Sequence, residues 1–162
     1  FVSRKPYLRV KARAQRRVIM SIDAVLKIAG SGLNAQLVRM NTIASNLANA
    51  TVVAGSPEDA YKAKRVVFSS LMLDPDQQGG FDKATRTGVY VTDVVDDSKP
   101  VKQIHEPGNS IANDDGYVFG SNVNEIEEMV EMLDASRAYQ NNVSVVSTAK
   151  DLMYRTLDLI KV

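Results

Sequence analysis

The sequence predicts a mainly α-helical protein, with N- and C-terminal helices paired as a coiled-coil stem and a small β-rich insert of short antiparallel strands between them. Three observations predict it. Apolar residues recur at alternating steps of four and three near both ends of the chain, the middle loses that period, and turn-forming residues there separate short β-branched and aromatic runs.

The first helix is read from Ile22 onward. Its seam is Ile22, Leu26, Ala29, Leu33, Gln36, Met40, Ile43, Leu47 and Ala50, with one polar position in the series. Asp23 in the first turn suits the positive end of the helix dipole. Gly30 and Gly32 each cost about 1 kcal/mol relative to alanine inside a helix. Close approach of another backbone compensates for such a cost, and a local bend is the alternative. The second seam runs Met129, Met132, Ser136, Tyr139, Val143, Val146, Lys150, Met153, Leu157 and Ile160, in a helix over about 123–162. Asn122 followed by Glu125 resembles a capping box at its start.

Between the helices, residues 51–121 carry turn signals at Asp74-Pro75-Asp76, Gln78-Gly79-Gly80, Asp97-Ser98-Lys99-Pro100, Glu106-Pro107-Gly108-Asn109 and Asn113-Asp114-Asp115-Gly116. The runs Arg65–Phe68, Val89–Thr92, Val94-Val95 and Tyr117–Phe119 read as short strands. The chain thus divides into an N-terminal extension (1–19), a stem (20–50 with 122–162) and the insert (51–121). At 1.5 Å per residue the first helix is about 40 Å long and the second about 60 Å. A third of the longer seam is then left without a partner in its own chain, and an intermolecular partner is expected to cover it.

Composition narrows the function classes. The 162 residues, 44% apolar and 24% charged, suit one core of ordinary size, and no stretch is long and apolar enough to cross a bilayer as a helix. Cysteine is absent, which removes disulfides, thiolate nucleophiles and cysteine-based zinc sites. Residues 1–19 carry seven basic groups and no acid, leaving a net charge of −6 on residues 20–162. Such an arm binds nucleic acid or anionic lipid in some proteins, which makes a binding module with a coiled-coil stem the alternative class. The favoured expectation is that the arm is upstream sequence, since the chain begins with Phe and Met20 starts a new pattern. No nucleic-acid partner is expected. No secretory signal is expected either, because no apolar core follows the arm's charges.

The chemistry-bearing residues are few. His105 is the sole histidine and has no nucleophile elbow to serve, so no catalytic residue is assigned. Asp74 to Gly79 imitates the opening of a calcium loop, but its twelfth position is Thr85 instead of a bidentate Glu, so no metal is expected. Gly30-Ser31-Gly32 is too short for a phosphate loop, and no cofactor is expected. Asn46 and Asn49, near the end of the first helix, are expected to cap it. In the second helix, Arg137, Tyr139 and Asn142 either face solvent or fix register across helices.

Four segments carry a resemblance: Ile28–Leu33 with Ala44–Ala50, Tyr61–Phe68, Glu106–Asn109 with Asp115–Val118, and Asn122 through Val143. Together they resemble the flagellar basal-body rod proteins, nearest to those of the proximal rod, over residues 20–162. His105 and Ser110 depart from the pattern, where an aromatic residue and proline are expected. The resemblance implies paired terminal helices, export through the flagellar type III apparatus and helical polymerisation in the periplasm. Its implied partners are further copies of the chain, other proximal-rod and distal-rod proteins, and the junction to the inner-membrane ring. The expected assembly interface comprises Leu26, Leu33, Met40, Ile43, Leu47, Met129, Met132, Tyr139, Val143, Val146, Met153, Leu157 and Ile160. The motif's polar positions are Asn46, Asn49, Asn122, Glu128, Arg137 and Asn142.

Overall fold

The structure, a computed structural model, describes residues 5–72 and 87–160, with side chains over 22–70 and 88–158. In chain order it contains α1 (Lys5–Ala48), β1 (Val53–Ala54), β2 (Lys64–Met72), β3 (Thr87–Asp96), β4 (Lys102–His105), β5 (Tyr117–Gly120) and α2 (Glu125–Ile160). Two long helices thus bracket a small antiparallel insert, as the periodicity predicts.

One boundary differs sharply. The basic segment before Ile22 continues α1, which starts at Lys5. The residues after Pro6 are rich in Ala, Arg, Lys, Leu and Gln, all strong helix formers, and proline is tolerated in a first turn. With 44 residues against 36, α1 is the longer helix, about 66 Å against about 54 Å. The expected shortage of first-helix length is therefore wrong.

The helices run antiparallel. Glu128 meets Asn46 and Asn142 meets Gly32, so fourteen residues along α2 match fourteen along α1. Mostly small side chains are buried along the contact: Ala29 and Ala35 from α1, with Ile43, and Ala135 and Ala149 from α2. This corrects one of the two heptad lines of the second seam by one residue, while Met132, Tyr139 and Val146 of the other line are half-buried. The inward heptad line is Glu128, Ala135, Asn142, Ala149 and Thr156, whereas Met129, Ser136, Val143, Lys150 and Leu157 lie one position on, about 100° around the helix. Counting large apolar residues misplaces the line because the helices approach closely, and close approach selects alanine and glycine over leucine and methionine. On α1 the buried line likewise includes Ala35 and Asn46, which the apolar count passes over.

The insert forms two sheets. β2 and β3 make a hairpin registered from Lys64 opposite Asp96 to Met72 opposite Thr87. Val67 faces Asp93 and Phe68 faces Val91, so Thr92 is an extra residue that bulges the ladder. Val89–Thr92 and Val94-Val95 are consequently one strand instead of two. The hairpin lies along α1, where the Val89 amide donates to Ser31 Oγ at 3.1 Å. The second sheet has the order β1-β5-β4, with Val118 of the central strand fully buried. β1, of two residues, carries no strong sequence signal, and β4 ends at His105. Gly116, at φ 78°, closes the β4–β5 turn at the expected place, and a Cβ there would also meet Pro107 Cβ at 3.1 Å. The turns at Asp74–Asp76 and Gln78–Gly80, with the calcium-loop mimic that contains them, fall outside the described residues.

The two helical glycines separate cleanly. A Cβ on Gly32 would lie 3.1 Å from Asn142 Nδ2, whereas one on Gly30 meets nothing within 4 Å. Gly30→Ala is therefore expected to stabilise the chain by about 1 kcal/mol through helix propensity alone. Gly32→Leu is expected to destabilise it by about 1–3 kcal/mol by overpacking the helix contact. Urea unfolding of both variants checks the pair; equal effects would contradict the close approach at Gly32.

Candidate functional site

The most constrained polar group in the described chain is the Asn46 side chain, wholly buried near the end of α1. Its amide forms four hydrogen bonds. Nδ2 donates to the Lys64 carbonyl at 2.9 Å and to Glu128 Oε2 at 3.0 Å. Oδ1 accepts from the Lys64 amide at 2.8 Å and from Tyr61 Oη at 3.0 Å. Both donors and both acceptor positions are filled, which is the full capacity of an asparagine. By gripping the amide and carbonyl of one residue, Asn46 pairs with Lys64 as a neighbouring strand would. It fastens the start of β2 to α1.

Glu128, on the first turn of α2, is also wholly buried. A buried carboxylate needs partners, and it has two: Asn46 on Oε2, and the Arg65 guanidinium, whose Nη1 lies 2.8 Å from Oε1. That approach is off the line of a hydrogen bond, so charge holds Oε1 where no directed donor does. Arg65 is on β2, and the cluster thus joins α1, the hairpin and α2 at one point.

A second joint lies beside it. Asn122 Oδ1 accepts from the Ala63 amide at 2.6 Å, and Nδ2 donates to the Lys99 carbonyl at 2.8 Å. Asn122 is therefore not the helix cap that its spacing suggests. Asn124 caps α2, its Oδ1 accepting from the Ile126 amide at 3.2 Å and its carbonyl receiving the Glu128 amide. Asp97 completes this joint. The Lys99 amide bond, helped by the charges of Lys99 and Arg65 and partly opposed by burial, holds its carboxyl below the usual carboxylate range.

The expected interface residues divide into two groups. Leu26, Leu33, Met40, Leu47, Met132, Tyr139 and Val146 are half-buried and Ile43 is buried, all on the stem's inner side or its margins. Met129, Val143, Met153 and Leu157 are exposed, and the side chain of Ile160 lies outside those described. Among the polar positions, Asn46, Glu128 and Asn122 form the joints and Asn142 packs on Gly32. Asn49 caps α1 by donating from Nδ2 to the Ser45 carbonyl at 2.8 Å, without a left-handed backbone. Arg137 is exposed. Sequence reasoning missed Arg65 and Tyr61, for which the signal was present in the quoted Tyr61–Phe68 segment but had no partner to point to. His105 ends β4 and stacks tilted on Tyr117 at 4.8 Å. No group of three or more potential metal ligands occurs among the described residues.

Asn46, Asn122 and Glu128 fall within segments that known families share. Residues 26–55 match the family "Flagella basal body rod protein", and residues 114–159 match "Flagellar basal body rod FlgEFG protein C-terminal". The chain is similar to the flagellar basal-body rod protein FlgC of Escherichia coli O6:H1, 44% identical over 140 residues, covering 86% of this chain and 98% of that one. The FlgC of Salmonella typhimurium is 43% identical with the same coverage, and that of Borreliella burgdorferi is 32% identical over 151 residues, 88% of this chain and 99% of its own. The chain belongs to the FlgC-like flagellar basal-body rod proteins. It is a structural component of the basal-body rod, from a family that is not one of enzymes.

Two outcomes test the joints. Asn46→Ala strands several buried partners and is expected to cost about 3 kcal/mol, against about 1 kcal/mol for Asn49→Ala, which loses one cap bond. Chemical unfolding midpoints measure both, and equal losses would deny Asn46 its joining role. Asp97, with its native pKa depressed, contributes stability that is present above its unfolded value of 3.8 and lost as pH falls through the native one. Asp97→Asn is expected to flatten the acid limb of the stability profile below pH 3.8 and to leave its slope near neutrality unchanged.

Proposed function

We propose that the chain polymerises through its two terminal helices into the proximal part of the rod, and that this tube carries torque from the motor to the hook. The observation that carries the reading is the outward placement of large apolar side chains on α2. Ile126 is 74% exposed, Tyr154 65% and Leu133 59%, while the contact with α1 is filled mostly by alanine. A stem that hides its small residues and shows its large ones is built to be completed by neighbours.

The heptad line from Glu128 to Thr156 supports pairing of α1 and α2 as a coiled coil, with residues 51–121 as the insert. The neighbours are further copies, the other proximal-rod and distal-rod proteins, and the junction to the inner-membrane ring. Delivery is through the flagellar type III export apparatus to the periplasm. Subunits joined head to tail without ring closure make helical tubes, the geometry a rod needs. The joints at Asn46 and Asn122 serve the same end, because they tie the insert rigidly to the stem that bears load. No reaction is assigned to the chain.

Leu133→Asp separates assembly from folding, since Leu133 is exposed and Ala135, two residues on, is buried. The Leu133→Asp chain is expected to keep its circular-dichroism helix content, to be exported, and to be missing from purified basal bodies of non-motile cells. Ala135→Asp is expected to lower helix content itself, through an unpaired charge inside the helix contact. Normal rod incorporation of Leu133→Asp would sink the proposal that the outer face of α2 joins subunits.

A further inference from the structure

The ladder between β2 and β3 decides which backbone groups of the hairpin stay free. In an antiparallel pair the N–H and C=O of alternate residues point into the ladder, and those of the residues between them point out. The Asp97 amide donates to the Ala63 carbonyl at 2.7 Å, so Arg65, Val67 and Ser69 face β3, while Lys64, Val66, Phe68 and Ser70 face away. Two further bonds fit this phase. Asn46 holds the amide and carbonyl of Lys64 from the outer side, and the Val89 amide, opposite Ser70, reaches outward to Ser31.

The two edges of the ribbon are therefore unlike. On β3 the outward amides of Val94 and Val89 are taken by Asp93 Oδ1 and Ser31 Oγ, Thr92 bulges the strand, and Asp93 and Asp96 add charge. Such devices keep a further strand away. On β2 the pairing that Asn46 begins at Lys64 goes no further. The outward groups of Val66, Phe68 and Ser70 have no hydrogen-bond partner among the described residues, and no residue from Val66 to Leu71 is charged or proline. A bare, uncharged edge is a template for another strand.

This edge opens on a groove of about 620 Å³, walled by Ile43 of α1, by Ile126 and Val130 of α2, and by Val66 and Phe68 of the strand itself. The ionic groups that line it are matched within the chain: Arg39 by Glu131, Lys64 by Asp96, Arg65 by Glu128 and Asp97, and Glu127 by Lys99. An uncharged occupant leaves these pairs intact, and a charged one would find no open counterion. We propose that β2 receives an extended, uncharged strand of a partner protein. That strand continues the pairing begun by Asn46 along Val66, Phe68 and Ser70, and turns every second side chain, β-branched or aromatic, toward Ile126 and Val130. Backbone bonds supply the affinity and the groove selects the side chains. β3 and β4 of a second copy fit poorly, since they carry Asp93, Asp96 and Lys102. The contact goes beyond the rod reading, because it concerns the hairpin edge and is measured on the isolated chain.

Amide hydrogen exchange of the isotope-labelled full chain reads this edge residue by residue. In dilute solution the Val66, Phe68 and Ser70 amides are expected to exchange about tenfold or more faster than those of Arg65, Val67 and Ser69. The probe is a heptapeptide of alternating threonine and valine, acetylated and amidated at its ends. It is expected to slow the outward amides by about tenfold and to leave the inward ones unchanged, while the same peptide N-methylated at every residue does nothing. Ser70→Pro removes an outward N–H and no ladder bond, whereas Ser70→Ala keeps that N–H. The proline variant is expected to keep its circular-dichroism spectrum and to bind the peptide about three- to tenfold more weakly than the alanine variant. Outward amides already protected in the dilute chain would show an edge covered from within. Protection that grows with chain concentration would give the edge to a second copy. Either result, like no protection by the peptide or equal protection by its methylated form, overturns the proposal, and each leaves the rod reading standing.

Discussion

The arrangement of this protein depends on one side-chain amide. Asn46 binds the backbone of Lys64, the phenol of Tyr61 and the carboxylate of Glu128, and with these four bonds it fixes where the insert leaves the stem and where the second helix begins. Its burial is tolerable only because every bond is made, and the burial of Glu128 only because Asn46 and Arg65 both reach it. Each group thus makes the position of the others necessary. A purely apolar joint of the same volume would pack as well but would not specify one orientation of the hairpin along α1.

The stem follows a second constraint, the closeness of its two helices. Ala29, Gly32, Ala35, Ala135 and Ala149 let the backbones approach, and Arg39 with Glu131 closes the margin as an ion pair. Small residues bury little apolar area, so the contact contributes less than a leucine seam of equal length. The large residues are displaced outward, where a monomeric protein would place charges. This division fits a subunit whose fold is finished by neighbours.

The insert is held by the same polar logic. Asn122 bridges Ala63 and Lys99, and Asp97 is gripped by the Lys99 amide and by Arg65, so the lead-in to α2, the start of β2 and the end of β3 converge. Rigid coupling between stem and insert suits a structural component of a rod. Beyond the joint the hairpin is a two-stranded ribbon against α1, with Phe68 and Tyr90 partly open to solvent.

By itself the sequence determined the two terminal helices, the antiparallel insert, the turn at Gly116 and the resemblance to rod proteins, because periodicity, turn chemistry and motif order are local properties of the chain. It also marked Asn46, Asn122 and Glu128 as positions of interest. Only the tertiary structure decided what they do: Asn46 and Asn122 looked like caps because local spacing offers no other partner, and their true partners lie in segments 18 and 59 residues away. One line of the α2 seam, from Met129 to Leu157, lies one residue past the inward line for a similar reason. A count of apolar residues finds the large side chains, and on α2 several of these stand exposed, while the face against α1 is set by how closely two backbones can approach.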